Sequence, residues 1–261
     1  DVFDQQQKEG LNLEQKLKSK NFEYIFGTKV WGIFQKDDDF YEVCCSKNNR
    51  DIRINAKKII VATGSYEKPY FIDGWHLPNV MTTGGTQIML KTQGIFPGKD
   101  VVICGNGPLN FQLATELMKN NINVKAIIET SGKPFSKILS SIMCLISSPV
   151  IFLKGISTYL KIYFSNVHIH HNSALVKIED EQDKKKILIK NIKKNNFFSI
   201  NNIDVVSLNY GFIPNNDIGK ILGLDGFFNK EKSYFQIKKN LFNETSKKNI
   251  FFIGEAARNS G

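Results

Sequence analysis

The sequence D-V-V-I-C-G-N-G-P-L-N, residues Asp100–Asn110, is the strongest indication of the fold. Its first five residues form an apolar run of the kind found in strands buried within a parallel sheet. The turn Gly105–Pro108 follows directly, and the pattern after it predicts a helix. A second apolar strand is predicted over Val124–Glu129. Residues 100–129 are therefore predicted to form a strand–helix–strand unit, which takes about 30 residues.

The glycines of this turn predict a site for a nucleotide pyrophosphate. Gly105 allows the tight turn, and Gly107 lets the backbone approach the phosphates. The helix N-terminus then presents unpaired N–H groups and the positive end of its dipole, and Pro108 suits its first position. Asn110 departs from the pattern, because the third position is usually a glycine that permits close helix–strand packing.

An acidic residue ends the second strand of the unit. Glu129 lies 24 residues after Gly105, where a carboxylate can accept hydrogen bonds from an adenosine ribose 2′-hydroxyl. The residues that follow, Thr130–Lys133, include no arginine that could hold a 2′-phosphate. The sequence therefore favours NAD over NADP as a ligand. The alternative, a domain of this type kept for packing with no nucleotide bound, stays open.

On the N-terminal side of this unit, the sequence predicts a helix over Leu11–Ser19 followed by a β-meander. The meander strands are predicted at Phe22–Gly27, Lys29–Gln35, Phe40–Ser46 and Asp51–Asn55, with a turn at residues 37–39. A buried strand, Lys58–Thr63, then ends in Gly64. A strand that ends in this way lets the backbone turn pass close to a bound nucleotide, although many strands end in glycine.

On the C-terminal side, further strands follow a helical region. They are predicted at Asn166–His171, Ala174–Glu179, Lys186–Lys190, Ile203–Asn209 and Ile250–Ile253. The uncharged stretch Ile138–Leu153 is too short for a membrane span, which needs about 20 apolar residues. We predict two core helices broken at Pro149 and no membrane association. A helix lying on a membrane surface remains an alternative.

The net charge of +10 comes almost entirely from lysine. Arginine, which reads phosphates and bases better, occurs only at Arg50, Arg53 and Arg258. The lysines are scattered through asparagine-rich turns such as Lys193–Asn196, and Lys184–Lys186 is predicted to be a hairpin turn. We therefore expect no nucleic-acid partner.

The cysteines and histidines predict neither a disulfide nor a metal site. The cysteines Cys44, Cys45, Cys104 and Cys144 form no C-x-x-C pair, which favours reduced thiols in a cytoplasmic protein. His168 and His170 fall on one face of a predicted strand. No carboxylate or cysteine accompanies them at ligand spacing, so no metal is expected.

Five motifs in order carry a resemblance to a known family. The order is the β-meander, then A-T-G-S-Y-E-K-P (residues 62–69), G-N-G-P-L (105–109), L-N-Y-G-F-I-P-N (208–215) and F-F-I-G-E-A-A (251–257). The chain resembles the FAD/NAD-linked, disulfide-reductase-type flavoprotein oxidoreductases. It is most similar to the branch that contains the large subunits of hydrogen cyanide synthase and opine oxidase and the dye-linked amino-acid dehydrogenases.

The resemblance implies roles for several residues beside FAD. Val30 is similar to the position whose backbone meets the adenine, and Thr63 and Gly64 match the A-T-G turn beside the cofactor. Gly254 and Glu255 match a late Gly-Asp pair whose carboxylate holds the ribityl chain. Glutamate keeps that carboxylate but reaches one methylene farther, so the backbone would have to shift.

The resemblance also implies an α/β fold with two dinucleotide-binding domains. Residues 1–98 and 213–261 would belong to an incomplete FAD-type domain, and residues 99–212 to a Rossmann-like NAD-type domain inserted in it. No strand–GxGxxG–helix unit precedes the meander in these 261 residues. The FAD pyrophosphate site is therefore expected outside this chain, as in a piece of a longer subunit.

The function implied by the resemblance is oxidation of an amine or amino acid at a C–N bond. Electrons would pass through FAD to a partner oxidoreductase subunit or another acceptor. No general base can be nominated, since Tyr66 and Glu67 are expected in an exposed loop. The alternatives are an NADH-dependent flavin reductase and a non-catalytic scaffold subunit.

Overall fold

A computed structural model describes residues 5–257, apart from residues 19, 38, 39, 97, 134–142, 144 and 145. The described residues form two compact units. The smaller unit is formed by the described residues within 1–61, 216–227 and 237–252, and the larger one by those within 62–215, 228–236 and 253–261. Cys144, Arg258 and most of the helix predicted before Pro149 lie outside the described residues. The domain boundaries at residues 98 and 212 stay a prediction.

Short helices and many strands make up both units. The strands are β1 (Lys29–Gln35), β2 (Tyr41–Lys47), β3 (Arg50–Ala56), β4 (Ile59–Val61), β5 (Ser65–Glu67), β6 (Val80–Thr82), β7 (Asp100–Gly105), β8 (Asn123–Glu129), β9 (His168–His171), β10 (Ser173–Glu181), β11 (Lys184–Asn191), β12 (Asn196–Ile203), β13 (Val205–Asn209), β14 (Phe212–Pro214), β15 (Gly226–Asn229), β16 (Tyr234–Ile237) and β17 (Ile250–Phe252). The α-helices are α1 (Gln5–Lys18), α2 (Thr83–Ile88), α3 (Pro108–Lys119), α4 (Pro149–Tyr163) and α5 (Asp217–Ile221).

The smaller unit contains the predicted β-meander. Strands β1, β2 and β3 pair antiparallel in that order, and β17 pairs parallel with β4. The strand predicted over Phe22–Gly27 is wrong, because this segment is coil that ends in a turn. Its aromatic rings contact one another instead of a neighbouring strand: the ring centroids of Phe22 and Tyr24 are 4.4 Å apart, and those of Tyr24 and Phe26 are 5.2 Å apart.

The larger unit is built on the predicted strand–helix–strand motif. Strands β7 and β8 pair parallel, with α3 between them in the chain, as predicted. They belong to a five-stranded sheet of order β6-β13-β7-β8-β9, in which every neighbouring pair is parallel. The buried strand β13 lies between β6 and β7, so both of its edges are paired.

Two different layers cover the faces of this parallel sheet. On one face, Val101 and Ile103 pack with helix residues such as Leu113 of α3 and Ile162 of α4. On the other face, the alternate residues of β7 pack against the antiparallel sheet β10-β11-β12. Because successive side chains of a strand point to opposite faces, a strand buried on both faces is apolar throughout. This arrangement explains the run at residues 100–104.

The antiparallel sheet corrects two sequence predictions. The hairpin turn lies at Gln182 and Asp183, which have φ of 47° and 71°. Lys184–Lys186 is therefore not the turn but the start of β11, where Lys185 is buried with its Nζ 3.1 Å from Asp180. Strand β12 is absent from the sequence prediction, because five of its eight residues are exposed and its sequence lacks a clear apolar alternation.

The described cysteines, Cys44, Cys45 and Cys104, are buried free thiols. Cys104 is fully enclosed in β7, and burial raises the pKa of its thiol. No helix among the described residues is long and apolar enough to cross a membrane.

One carboxylate ties together the start of three strands of the larger unit. Asp204, just before β13, accepts hydrogen bonds from the backbone N–H of Lys99 at 2.8 Å and of Asp100 at 2.9 Å, and from the ammonium group of Lys184. Burial by itself would raise the pKa of Asp204, but these three donors outweigh it and lower the pKa to about 2.

We expect Asp204→Asn to lower the free energy of unfolding at pH 7. An unfolded aspartate has a pKa of about 3.9, so the stabilisation by Asp204 is complete above that pH and is lost as the pH falls towards about 2. The variant should therefore lose less stability than the wild type over that range. Urea unfolding at a series of pH values measures both effects. Asp183→Asn, in the exposed hairpin turn, is the control that should behave like the wild type.

Candidate functional site

The glycine turn after β7 has the conformation that the sequence predicts. Gly105 has φ of 142°, and a Cβ atom there would lie 1.7 Å from the backbone oxygen of Asn209. The same oxygen accepts a hydrogen bond from the N–H of Asn106 at 2.7 Å. Gly107 has φ of 105°, but its missing Cβ faces open space. Gly105 therefore permits contact between β7 and β13, whereas Gly107 leaves room for a ligand.

The N-terminus of α3 faces this open space. Pro108 occupies the first turn, and the preceding Gly107 provides no capping side chain. The first N–H groups of a helix have no intrahelical acceptor and carry the positive end of the helix dipole. The twelve-residue helix α3 thus presents donors and a positive potential next to a glycine that leaves space for an anion.

Asn110 occupies the position of the third glycine without separating α3 from the sheet. Its side chain is fully buried, and the hydroxyl of Thr83, at the start of α2, donates to its Oδ1 at 3.0 Å. The larger side chain is thus accommodated by a polar contact with α2. The second helix supplies a partner for the amide oxygen, whereas the amide nitrogen, Nδ2, is buried without a hydrogen-bond acceptor.

Glu129 is buried at the end of β8 and faces the same turn. Its Oε1 accepts hydrogen bonds from the backbone N–H of Ser131 at 2.9 Å and from the Ser131 hydroxyl at 2.8 Å. Its Oε2 lies 3.4 Å from the backbone nitrogen of Gly107. Glu129 therefore links the loop after β8 to the glycine turn. Its carboxylate lies at the position where a nucleotide-binding unit of this type holds the ribose.

A cavity of about 290 Å³ lies over these groups. It is lined by Asn106, Gly107, Pro108, Phe111, Glu129, Ser131, Gly132 and His171. The cavity brings together three of the residues predicted from sequence, Gly107, Pro108 and Glu129. These residues fit a dinucleotide, because the space, the backbone donors and the carboxylate occur side by side.

His171 is a cavity residue that the sequence analysis did not select. It is paired with Glu129 in the register of β8 and β9, and its Nε2 lies 3.1 Å from the hydroxyl of Tyr159 on α4. Burial, and then the charge of Lys133, lowers the pKa of His171, so its imidazole is neutral at pH 7. The sequence feature that could have identified His171 is its position at the end of β9, the next parallel strand after β8, where it pairs with Glu129.

Among the described residues, no group of three or more histidine, cysteine, aspartate and glutamate side chains is arranged to bind a metal. His168 and His170 have ring centroids 6.4 Å apart. Burial lowers the pKa of His170, and the neighbouring histidines add to the effect. These two side chains are therefore neighbours on one strand, and the described part of the chain places no third ligand beside them.

A second set of predicted residues surrounds the A-T-G turn of the larger unit. The hydroxyl of Thr63 donates to the backbone oxygen of Asn215 at 2.5 Å, and the N–H of Asn215 donates to the oxygen of Gly64 at 2.9 Å. Gly64 has φ of 72°, which favours glycine. The A-T-G turn is thus tied to the end of the L-N-Y-G-F-I-P-N motif.

The late Gly-Glu pair meets the same turn. Gly254 has φ of 61° and opens a short 3₁₀ turn, Gly254–Ala256. Glu255 is exposed, and the hydroxyl of Ser65 donates to its Oε2 at 2.5 Å. Two motifs separated by 190 residues therefore converge, and Ser65 is a further residue of this group. Val30 is an exposed residue of β1 in the other unit.

Glu67 is fixed in place, contrary to the expectation of an exposed loop. Its Oε2 accepts from the backbone N–H of Gly84 at 2.8 Å, and its Oε1 accepts from the amide of Asn209 at 2.6 Å. Tyr66 is exposed, as expected, but it lies in strand β5 and not in a loop. Glu67 therefore stabilises the start of α2 and the end of β13, and it is satisfied by groups of the chain itself.

Comparison with known proteins shows the family to which the chain belongs. A family model described as pyridine nucleotide-disulphide oxidoreductase matches residues 6–254. An opine oxidase subunit from Rhizobium meliloti (strain 1021) is 24% identical over 247 residues, which cover 92% of this chain and 52% of that protein. The hydrogen cyanide synthase subunit HcnB from Pseudomonas aeruginosa is 24% identical over 204 residues, covering 76% and 43%. The chain spans about half the length of these curated relatives.

Solved structures share the fold. An ornithine N-hydroxylase from Kutzneria sp. 744, crystallised with reduced FAD, NADP⁺ and L-ornithine, matches with a TM-score of 0.70 and 13% identity, over 99% of this chain and 72% of that one. Thioredoxin reductase of Lactococcus lactis matches with a TM-score of 0.67 and 15% identity, over 96% and 72%. The predicted fold class, an α/β flavoprotein fold with two dinucleotide-binding domains, and the family resemblance are confirmed.

We expect Gly105→Ala to destabilise the chain by about 3 kcal/mol or more, since the new methyl group meets backbone and the φ value is strained. The matched control is Gly155→Ala in α4, where a Cβ atom meets open space. That control should gain about 0.5–1 kcal/mol, as for other glycines in helices. The free energies of urea unfolding compare the two. Equal values would show that the turn tolerates a side chain.

Proposed function

Because this chain belongs to the pyridine nucleotide-disulphide oxidoreductase family, we propose that it is part of an FAD-dependent oxidoreductase subunit that oxidises an amine or amino acid at a C–N bond. The observation that carries the proposal is the match of 92% of the chain to an opine oxidase subunit. HcnB, a subunit of hydrogen cyanide synthase, supports the same class of reaction. In this proposal the flavin accepts the electrons and passes them to a partner subunit or another acceptor.

The convergence of the A-T-G turn and the late Gly-Glu pair supports an FAD-side role. Glu255 is exposed and oriented by Ser65, so its carboxylate is available to accept hydrogen bonds from the hydroxyls of a ribityl chain. Thr63 and Gly64 would hold the backbone turn beside the cofactor, and Val30 would meet the adenine. The extra methylene of glutamate, relative to aspartate, is compatible with this role because the Ser65 hydroxyl sets its position.

The turn at Gly105–Pro108, with Glu129, would bind NAD. The open space at Gly107 and the N-terminus of α3 suit the pyrophosphate, and Glu129 suits a ribose that carries a free 2′-hydroxyl. The same cavity favours a second candidate function, an NADH-dependent flavin reductase. In that enzyme the nucleotide would be the reductant, whereas the amine dehydrogenase takes its electrons from the substrate.

The remaining parts of the proposal concern organisation. The domain limits are those predicted from sequence: an FAD-type domain in residues 1–98 and 213–261 and an NAD-type domain in residues 99–212. A partner oxidoreductase subunit is proposed because the named relatives are themselves called subunits. A cytoplasmic location is proposed from the buried free thiols Cys44, Cys45 and Cys104, which a reducing compartment would preserve.

The test of the reaction uses the longest natural polypeptide that contains this chain, purified with FAD and kept free of oxygen. We expect amino acids or secondary amines to bleach the flavin absorbance, and NADH to do so much more slowly. Rapid bleaching by NADH alone would favour the flavin reductase. A preparation that retains neither cofactor, and co-purifies with a second chain, would favour the scaffold role.

We expect Glu255→Gln and Ser65→Ala to lower the FAD content of the longer natural polypeptide. The Glu255 variant removes the negative charge of the hydrogen-bond acceptor, and the Ser65 variant removes the hydroxyl that orients it. Each change should weaken FAD binding about tenfold, typical of a lost hydrogen bond to a charged group. Glu231→Gln, in an exposed turn, is the control. Flavin absorbance per polypeptide measures the content. Full retention by the Glu255 variant would contradict the assigned role.

We expect Glu129→Gln to weaken NADH binding about tenfold, because the ribose loses a charged hydrogen-bond acceptor. The ratio of NADH affinity to NADPH affinity should also fall, since the carboxylate repels a 2′-phosphate. Titration calorimetry of this chain with each nucleotide measures both constants. Glu181→Gln, an exposed residue at the end of β10, should change neither. If wild type binds neither nucleotide at millimolar concentration, the unit serves packing only.

A further inference from the structure

Helix α4 has apolar side chains on two opposite faces. Its inner face packs on α3: Ile162 is fully buried, and the rings of Tyr159 and Phe111 have centroids 5.9 Å apart. These contacts account for the position of the helix in the larger unit. They do not account for the apolar side chains of Val150, Leu153 and Leu160, which are exposed to solvent.

The outer face of α4 is a stripe of large apolar side chains in solvent. It comprises Val150 (77% exposed), Leu153 (60%), Leu160 (42%) and Phe164 (80%), the last directly after the helix. Residues 153, 160 and 164 lie on one face, because positions seven and four apart are neighbours along a helix. Large apolar side chains exposed along one helix face, here on either side of the exposed Ser157, are typical of an interaction site.

Two lysines border this stripe, and no acidic residue lies near them in sequence. Lys154 and Lys161 are exposed and seven residues apart, so both flank the same face. From Thr130 to Ile178, a stretch of 49 residues, the chain contains five lysines and no aspartate or glutamate. The outer face of α4 therefore combines apolar side chains with positive charge only.

We propose that the outer face of α4 lies on the surface of a membrane that contains anionic lipids. A helix of this kind binds in the plane of the interface, with its apolar side chains between the lipid headgroups and its lysines reaching the phosphates. The fifteen residues of α4 span about 23 Å, which suits a helix parallel to the surface. The helix carries no acidic residue that anionic headgroups would repel.

The composition of the face favours lipid over protein. The centres of protein interfaces are depleted in lysine and enriched in arginine, methionine and aromatic residues. Helix α4 has two lysines beside the stripe and no arginine, methionine or tryptophan. The aromatic residue of the stripe, Phe164, is equally typical of helices that lie on a membrane surface. A second copy of the chain is also disfavoured, because a two-fold interface would bring Lys154 and Lys161 against the same lysines. Anionic headgroups complement both the charge and the apolar stripe.

This inference does not rest on the proposed function, and it bears on two alternatives that the sequence left open. The stretch Ile138–Leu153 predicted core helices, with a helix on a membrane surface as the alternative. Val150 and Leu153, in the described part of that stretch, are exposed, and the face continues beyond it to Leu160 and Phe164. The exposure of these side chains favours the surface helix.

The test is co-sedimentation of the full chain with large vesicles. We expect binding to vesicles of phosphatidylcholine that contain phosphatidylglycerol, because anionic headgroups attract lysines near the surface, and little binding to phosphatidylcholine alone. Leu153→Ser with Leu160→Ser should weaken binding about tenfold. Lys154→Gln with Lys161→Gln should weaken it about fivefold for each charge removed, whereas the arginine substitutions should retain it.

A matched control removes exposed apolar side chains elsewhere. Ile192→Ser with Ile221→Ser changes residues that are 52% and 68% exposed and lie outside α4, and it should leave binding unchanged. Circular dichroism confirms that each variant is folded. Absence of wild-type binding to the anionic vesicles would overturn the proposal. The proposal would equally be overturned if the α4 variants bound the anionic vesicles as strongly as the wild type does. It would also be overturned if the wild type did not bind vesicles and the α4 substitutions instead abolished a dimer or a complex with another protein.

Discussion

At the carboxyl end of the parallel sheet, the backbone of Asn209 passes so close to Gly105 that a single added carbon would lie 1.7 Å from its oxygen. The contact lets β13 insert beside β7 while the chain leaves β7 for α3. The oxygen of Asn209 also accepts a hydrogen bond from the N–H of Asn106. Strand β13 therefore both stabilises the glycine turn and leaves no room for a side chain at Gly105. The geometry of the glycine turn, the direction of α3 and the cavity above them all depend on this approach.

Carboxylates that are partly or fully buried complete the arrangement by joining segments distant in sequence. Asp204 binds the backbone before β7 at one end of the sheet, and Glu67 joins the end of β13 to the start of α2 at the other. Glu129 links the glycine turn to the loop after β8. Each of these carboxylates accepts from at least one backbone N–H group, which offsets the cost of removing it from water.

The same principle separates structural carboxylates from candidate functional ones. Glu67 has both oxygens engaged by groups of the chain, so it holds the structure together. Glu255 is exposed and meets the Ser65 hydroxyl through one oxygen, which leaves its carboxylate open to a ligand. Glu129 combines both properties, because it contacts the chain and also lines the cavity. A carboxylate near a cofactor motif is thus not sufficient to indicate cofactor binding. Whether its oxygens already accept hydrogen bonds from the chain shows if they are available to a ligand.

The strand–turn–helix at residues 100–129, the β-meander from residue 29 onward and the family could all be predicted from the sequence alone. These are local signals, since an apolar run buried on both faces and a glycine pair at a helix start can be read without knowing the neighbours. Only the tertiary structure showed that Thr83 accommodates Asn110, that Ser65 orients Glu255, that His171 joins the cavity, and that α4 exposes a second apolar face. Each of these features depends on which segments, distant in the chain, pack against one another and which side chains they leave exposed. The apolar and polar periodicity of a sequence does not show which side chains will face each other in the fold.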